Sequence, residues 1–277
     1  MHQKLIQGIQ IAHSQSRFEA TIRMARELIQ LDPECALAYR ALGSSLADLN
    51  QLDEAVAAGF EAVRLDPQDG YSHFTVGRVL HLAECPQALI PLTEAVKLVP
   101  EESGFWWAIS ATHFDNGDGP QALQAAEQGL SIDPEEPDCL KQRAMALALV
   151  GDAKGAIQAM ELAFARRPTF RFNDGAAGWM YLQLNELMLA ATHLRQALTI
   201  DPHAAWVHEG LGMALVGLNQ LDQGLEHLLE SVRLNPWAGR RARAGLRKLN
   251  IAVPPRRTLR LPTHLWRYST ALTCIAN

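Results

Sequence analysis

Side chains able to do chemistry are plentiful in this chain, but they are not assembled for it. Its ten histidines never form HExxH, and none stands near a cysteine at the spacing that zinc ligands need. Cys35, Cys85, Cys139 and Cys274 form no CxxC pair, and thiols this far apart read as reduced ones in a cytoplasmic protein. No GxSxG elbow, phosphate-binding loop or dinucleotide fingerprint occurs. The run Asp115-Asn116-Gly117-Asp118-Gly119 is faintly like a calcium loop. Gly117, however, falls on a ligand position and no bidentate glutamate follows at the required spacing, so the run reads as a turn. Neither catalysis, nor a metal, nor a cofactor, nor a small-molecule substrate is expected.

The elements that position side chains here are repeats. Pro33, Pro67, Pro100, Pro134, Pro168, Pro202 and Pro236 stand 34, 33, 34, 34, 34 and 34 residues apart. That is the length of a helix–turn–helix unit. With each proline set at position 32, position 8 holds Gly43, Gly77, Ser110, Ala144, Gly178 and Gly212. Position 20 holds Ala55, Ala88, Ala122, Ala156, Ala190 and Gly224, and position 27 holds Ala62, Ala95, Gly129, Ala163, Ala197 and Ser231. Two antiparallel helices approach closely only where neither presents bulk, so positions 8 and 20 read as the contact within a helix pair. Position 27 then receives the next unit.

These residues resemble the tetratricopeptide repeat, most closely at Tyr39, Leu42, Gly43, Leu46, Ala55, Ala62 and Pro67. The resemblance implies an all-α, right-handed α-solenoid with A helices lining a concave groove and B helices outside. Seven repeats are expected over residues 2–236, at 2–35, 36–69, 70–102, 103–136, 137–170, 171–204 and 205–238. A capping helix at 237–250 and a basic tail at 251–277 follow. Stability in such a chain comes from stacking unit on unit. Three departures matter. The first unit is degenerate, with Ile9, Thr21 and Leu28 at its small positions. The third is one residue short near Ala83–Gln87 and carries Pro91, which predicts a late start or a kink in its second helix. The sixth has Asp174 where an aromatic belongs, and it places Gly175 toward the groove, where either a neighbouring helix or a partner comes close.

The N-terminal stretch has no apolar core of a secretory signal, and no apolar run approaches the roughly 18 residues of a membrane span. The net charge of −5 hides an asymmetry, because residues 231–277 carry 10 of the 25 lysines and arginines and none of the 30 acidic residues. The body is acidic and the tail basic. The tail either folds back on the body, or lacks a specific task, or contacts an anionic membrane surface or nucleic acid.

In the resembling family, helix-A positions 2, 5, 9 and 12 commonly face the groove. Here they include Arg40, Tyr71, Phe74, Arg78, Trp107, Lys141, Met145, Phe172, Trp179 and Trp206. His73, His113 and His208 fall on packing positions instead. Aromatic residues and arginine recurring on one face are the residue types of interface hot spots. The dicarboxylate clamp of chaperone-docking relatives is absent: Arg40 pairs with Ser44, and Thr75, Gly104 and Ala108 occupy the remaining positions. The expected function is a cytoplasmic scaffold for protein–protein interaction. Its groove binds a peptide or amphipathic helix by apolar anchors, with acidic groups of the partner meeting Arg40, Arg78 and Lys141. The alternative is a structural protein that self-assembles into homo-oligomers through stacked repeats and the basic tail.

Overall fold

The computed structural model describes residues 2–166, 173–237, 239–249 and 251–253. Phe172, Pro168 and the tail from Pro254 onward lie outside the described residues. Fifteen α-helices occur among the described residues, and no strand. They are α1 (His2–Ser14), α2 (Phe18–Leu31), α3 (Ala36–Asp48), α4 (Leu52–Leu65), α5 (Gly70–Leu82), α6 (Leu89–Leu98), α7 (Ser103–Asn116) and α8 (Gly119–Ile132). Then come α9 (Pro137–Leu149), α10 (Ala153–Arg166), α11 (Asn173–Gln183), α12 (Leu187–Ile200), α13 (Ala205–Gly217), α14 (Leu221–Leu234) and α15 (Arg240–Lys248). Odd and even helices pair as antiparallel hairpins, and within each of two compact units consecutive odd helices touch one another. Helices α1–α6 form one compact unit, closing at Glu101, and α7–α15 form a second, opening at Glu102.

Backbone chemistry explains the regularity. Each turn inside a hairpin holds one left-handed residue: Ser16, Asn50, Glu84, Gly117, Gly151, Asn185 and Asn219. Five of these seven are glycine or asparagine, which enter that region at low steric cost. The following amide returns to a carbonyl five residues back, as Gln51 does to Leu46 at 2.8 Å and Glu186 to Tyr181 at 2.9 Å, so the helix end is satisfied. The periodic prolines mark the other turn. Asp32, Asp66, Asp133 and Asp201 each close a helix in front of a proline, and each carboxylate accepts the amide two residues on. A residue preceding proline is pushed out of the helical region, and aspartate supplies the local hydrogen bond.

Close helix contact falls on the small positions. Ser110 Oγ on α7 donates to the Ala122 carbonyl on α8 at 2.7 Å, joining positions 8 and 20 of one hairpin. A methyl group added at Gly178 would stand 2.4 Å from Leu194 Cγ on α12. The third hairpin resolves its prolines by starting late. A single 3-10 turn, Pro86–Ala88, precedes α6, which has 10 residues where α4 has 14. Pro91 thereby falls in the first turn of α6, where its missing amide hydrogen forfeits no intrahelical bond.

Candidate functional site

In the N-terminal unit the odd-helix face is built by α3 and α5. Residues Arg40, Ser44 and Asp48 lie one turn apart along α3; Tyr71, Phe74 and Arg78 do the same along α5. Asp69 closes the start of α5, accepting the Tyr71 amide at 3.2 Å and the Ser72 hydroxyl at 2.7 Å. It also receives the Arg40 guanidinium through both oxygens, at 2.9 and 2.8 Å. The same guanidinium lies 5.4 Å from the centre of the Tyr71 ring. Arg78 returns the connection, donating to Asp48 at 2.8 Å and to the Ser44 carbonyl at 2.8 Å. Two arginines thus tie α3 to α5 in opposite directions. They hold Tyr71, 42% exposed, and half-buried Phe74 on one face. His13 of α1 lies beside them; burial pushes its imidazole below the ordinary value, with Asp48 opposing and Arg78 and Arg40 reinforcing.

The C-terminal unit places its expected groove residues differently. Trp179, Met145 and Lys141 are buried, at 3%, 8% and 5% exposure. Trp179 Nε1 donates to the Trp206 carbonyl at 3.0 Å, fixing α11 against α13. Lys141 pairs with Asp138 one turn earlier at 2.6 Å, and burial pushes its ammonium below the ordinary value against that carboxylate. Trp206 is 37% exposed and covers Gly175, where a methyl group would meet the indole at 2.2 Å. A neighbouring helix therefore occupies Gly175. Trp107 is half-buried on α7.

Two expectations are corrected here. Trp179, Met145 and Lys141 do not line an open surface, because all three are buried, Trp179 against Trp206 of α13. The acidic partner groups foreseen for Arg40, Arg78 and Lys141 have counterparts within the chain, namely Asp69, Asp48 and Asp138. Two of the histidines at packing positions make local bonds. The Nε2 atoms of His73 and His208 lie 3.0 Å from the Pro67 and Pro202 carbonyls, six residues earlier in each case. Asp174, standing where an aromatic was expected, meets His193 Nδ1 of α12 at 2.9 Å. One hairpin later, His208 and His227 repeat that contact with their Nδ1 atoms 2.9 Å apart.

Sequence reading passed over Asp48, Asp69 and Arg241, and took Asp115 as part of a turn. The first two carried a signal, since each lies about one repeat from the arginine it holds, 30 and 29 residues away. Arg241 of α15 carried none. It reaches Asp115 at the end of α7, 126 residues earlier, with Nη1 3.0 Å from Oδ1. Among the described residues no three histidine, cysteine or acidic side chains converge as metal ligands, and no helix is long and apolar enough to cross a membrane.

Antiparallel helix pairs stacked one on the next within each unit define a helical-repeat protein. More particularly, residues 10–70 match the tetratricopeptide-repeat family model, and solved tetratricopeptide-repeat structures share the fold of the chain. The Cut9–Hcn1 hetero-tetramer of the APC/C contains a chain 18% identical with a TM-score of 0.66, over 87% of this chain and 48% of that one. This chain thus spans about half the length of that relative. A tetratricopeptide repeat protein from Parabacteroides merdae is 12% identical with a TM-score of 0.63, covering 90% of this chain and 98% of that one. PilF of Pseudomonas aeruginosa is 18% identical with a TM-score of 0.56, covering 75% and 95% respectively. At these identities the likeness is one of fold. No curated protein matches the chain.

Proposed function

We infer that the chain is a non-catalytic scaffold that binds a peptide or helical segment of another protein, and that the odd-helix face of α3 and α5 is where it does so. The carrying observation is the reciprocal pairing of Arg40 with Asp69 and Arg78 with Asp48 around Tyr71 and Phe74. Ion pairs at partly exposed sites add little stability. What they do here is fix side chains that would otherwise lose rotamer freedom on binding, and preorganisation of that kind reduces the cost of association. Because both guanidinium groups are already neutralised, recognition rests on aromatic and aliphatic contact, with the arginine stems and ring faces as its ground. The Cut9–Hcn1 hetero-tetramer, an assembly that includes this fold, is in keeping with that role.

The test is capture from lysate of the source cells with wild-type protein and with Tyr71→Ala/Phe74→Ala. Proteins retained by the wild type are expected to bind the variant at least about tenfold more weakly, the scale of a hot-spot pair, while helicity is unchanged. Equal retention by both would remove this face from the function.

A further inference from the structure

The contact made by Arg241 has the features of a binding site with its ligand in place. Nη1 donates to Asp115 Oδ1 at 3.0 Å, while Nη2 faces the Asp115 carbonyl at 3.2 Å and the Phe114 carbonyl at 3.3 Å. All three acceptors sit in the last turn of α7, where the helix dipole is negative, and the Phe114 carbonyl also accepts the Gly117 amide at 3.0 Å. Gly117, left-handed at φ 84°, ends the helix there. Aromatic faces flank the cation: the Phe114 ring centre lies 5.6 Å from the guanidinium carbon and the Trp179 ring centre 5.1 Å. An anion, two carbonyls and two rings suit a planar forked cation, and a compact ammonium cannot reach them together.

The occupant comes from the same unit. It belongs to the nine-residue helix α15. Ala242 and Leu246 of α15 pack with Leu228 and Val232 of α14. The Ala242 amide donates to Glu209 at 2.7 Å, and Arg243 donates to the Pro236 carbonyl at 3.1 Å. Both partners at the site keep a route to solvent, with the Arg241 side chain 29% and the Asp115 side chain 32% exposed. Residues 1–230 carry a net charge of −15, so a cationic visitor is drawn toward this body.

We propose that the odd-helix face of the C-terminal unit is a receptor site for an arginine side chain borne by a segment of another protein, and that Arg241 fills it from within the same chain until such a segment displaces α15. Arg241 has the advantage of high local concentration. A displacing segment therefore has to add apolar contact around Phe114 and Trp179 to the guanidinium bonds. This site is independent of the Arg40–Tyr71–Phe74–Arg78 face.

The test uses the full chain carrying Arg241→Ala, titrated with N-acetyl-arginine methylamide and followed through the indole N–H resonance of Trp179. Saturable binding is expected, at least about tenfold tighter than to wild type, where the site is occupied, and lost again in Arg241→Ala/Asp115→Asn. The lysine analogue of the probe is expected to leave the resonance unmoved. Equal weak responses from wild type and variant, or a lysine probe as effective as the arginine one, would overturn the assignment. If Arg241→Ala does not fold, Arg241→Met keeps the side-chain length without the charge, and the same titration decides. Sedimentation of the wild-type chain supplies the remaining arm. A dimer that dissociates on Arg241 substitution would assign the site to α15 of a second copy and overturn the heterologous partner.

Discussion

The two units follow one repeat chemistry yet treat their odd-helix faces in opposite ways. In the N-terminal unit Arg40 and Arg78 pair with acidic residues of the neighbouring odd helix or its cap, and Tyr71 is 42% exposed. In the C-terminal unit Phe114 and Trp179 are buried, and the arginine against them arrives from a helix 126 residues further along the chain. Local pairing leaves a face available, whereas distant pairing uses it up. Residue type at a groove position therefore does not by itself decide how exposed the position is.

The comparison is broken most strongly at Trp179. Trp179→Ala removes a ring that is 3% exposed, and a loss of about 3–5 kcal/mol is expected, seen as earlier thermal unfolding of the C-terminal unit. Tyr71→Ala, on the open face, should shift stability by no more than about 1 kcal/mol. Equal losses would erase the distinction between a buried and an available face. Next in size is Arg241→Ala, which removes charge-assisted bonds worth about 1–2 kcal/mol. Hydrogen exchange should quicken in α15 while α3–α5 remain unchanged.

A smaller effect comes from His227. Burial first, and then His208, hold its imidazole below the ordinary value of 6.5. The charged groups Glu226, Glu230 and Arg195 also act on it. A neutral histidine in the fold and a protonated one in the unfolded chain make stability fall as pH drops below about 6.5, and leave it unaffected above. Thermal scans from pH 7.5 to 5.5 should show that decline in the wild type and a shallower one in His227→Gln. The residual decline is expected from His13, which is shifted the same way. A profile unchanged by the substitution would deny His227 the role. The smallest effect is at Arg26 and Glu54, paired at 2.6 Å with both side chains 50% exposed. Glu54→Gln should cost under about 0.5 kcal/mol in chemical denaturation.

The all-α repeat fold was legible because its determinants are local and periodic. Small residues at fixed places, and a proline at each turn between hairpins, report one backbone geometry repeated. Even the left-handed positions Asn50, Asn185 and Asn219 recur in step, although the turn signal they carry is quieter than that of proline. The faces were less legible. Tyr71 and Trp179 occupy comparable helices, and periodicity cannot say that Trp179 is roofed by Trp206 and Arg241. Asp174 looked like a broken rule until His193 supplied its partner from the second helix. Asp115, dismissed as part of a turn, gained its significance only from a residue far along the chain.

Nearly every helix contact here joins helices that are close in sequence, so the stack can form progressively as the chain lengthens during synthesis. The Arg241–Asp115 bond cannot. Until α15 has left the ribosome, Asp115 and the ring faces that Arg241 covers wait without that cation, so the nascent chain differs at this one place from a chain that has passed α15.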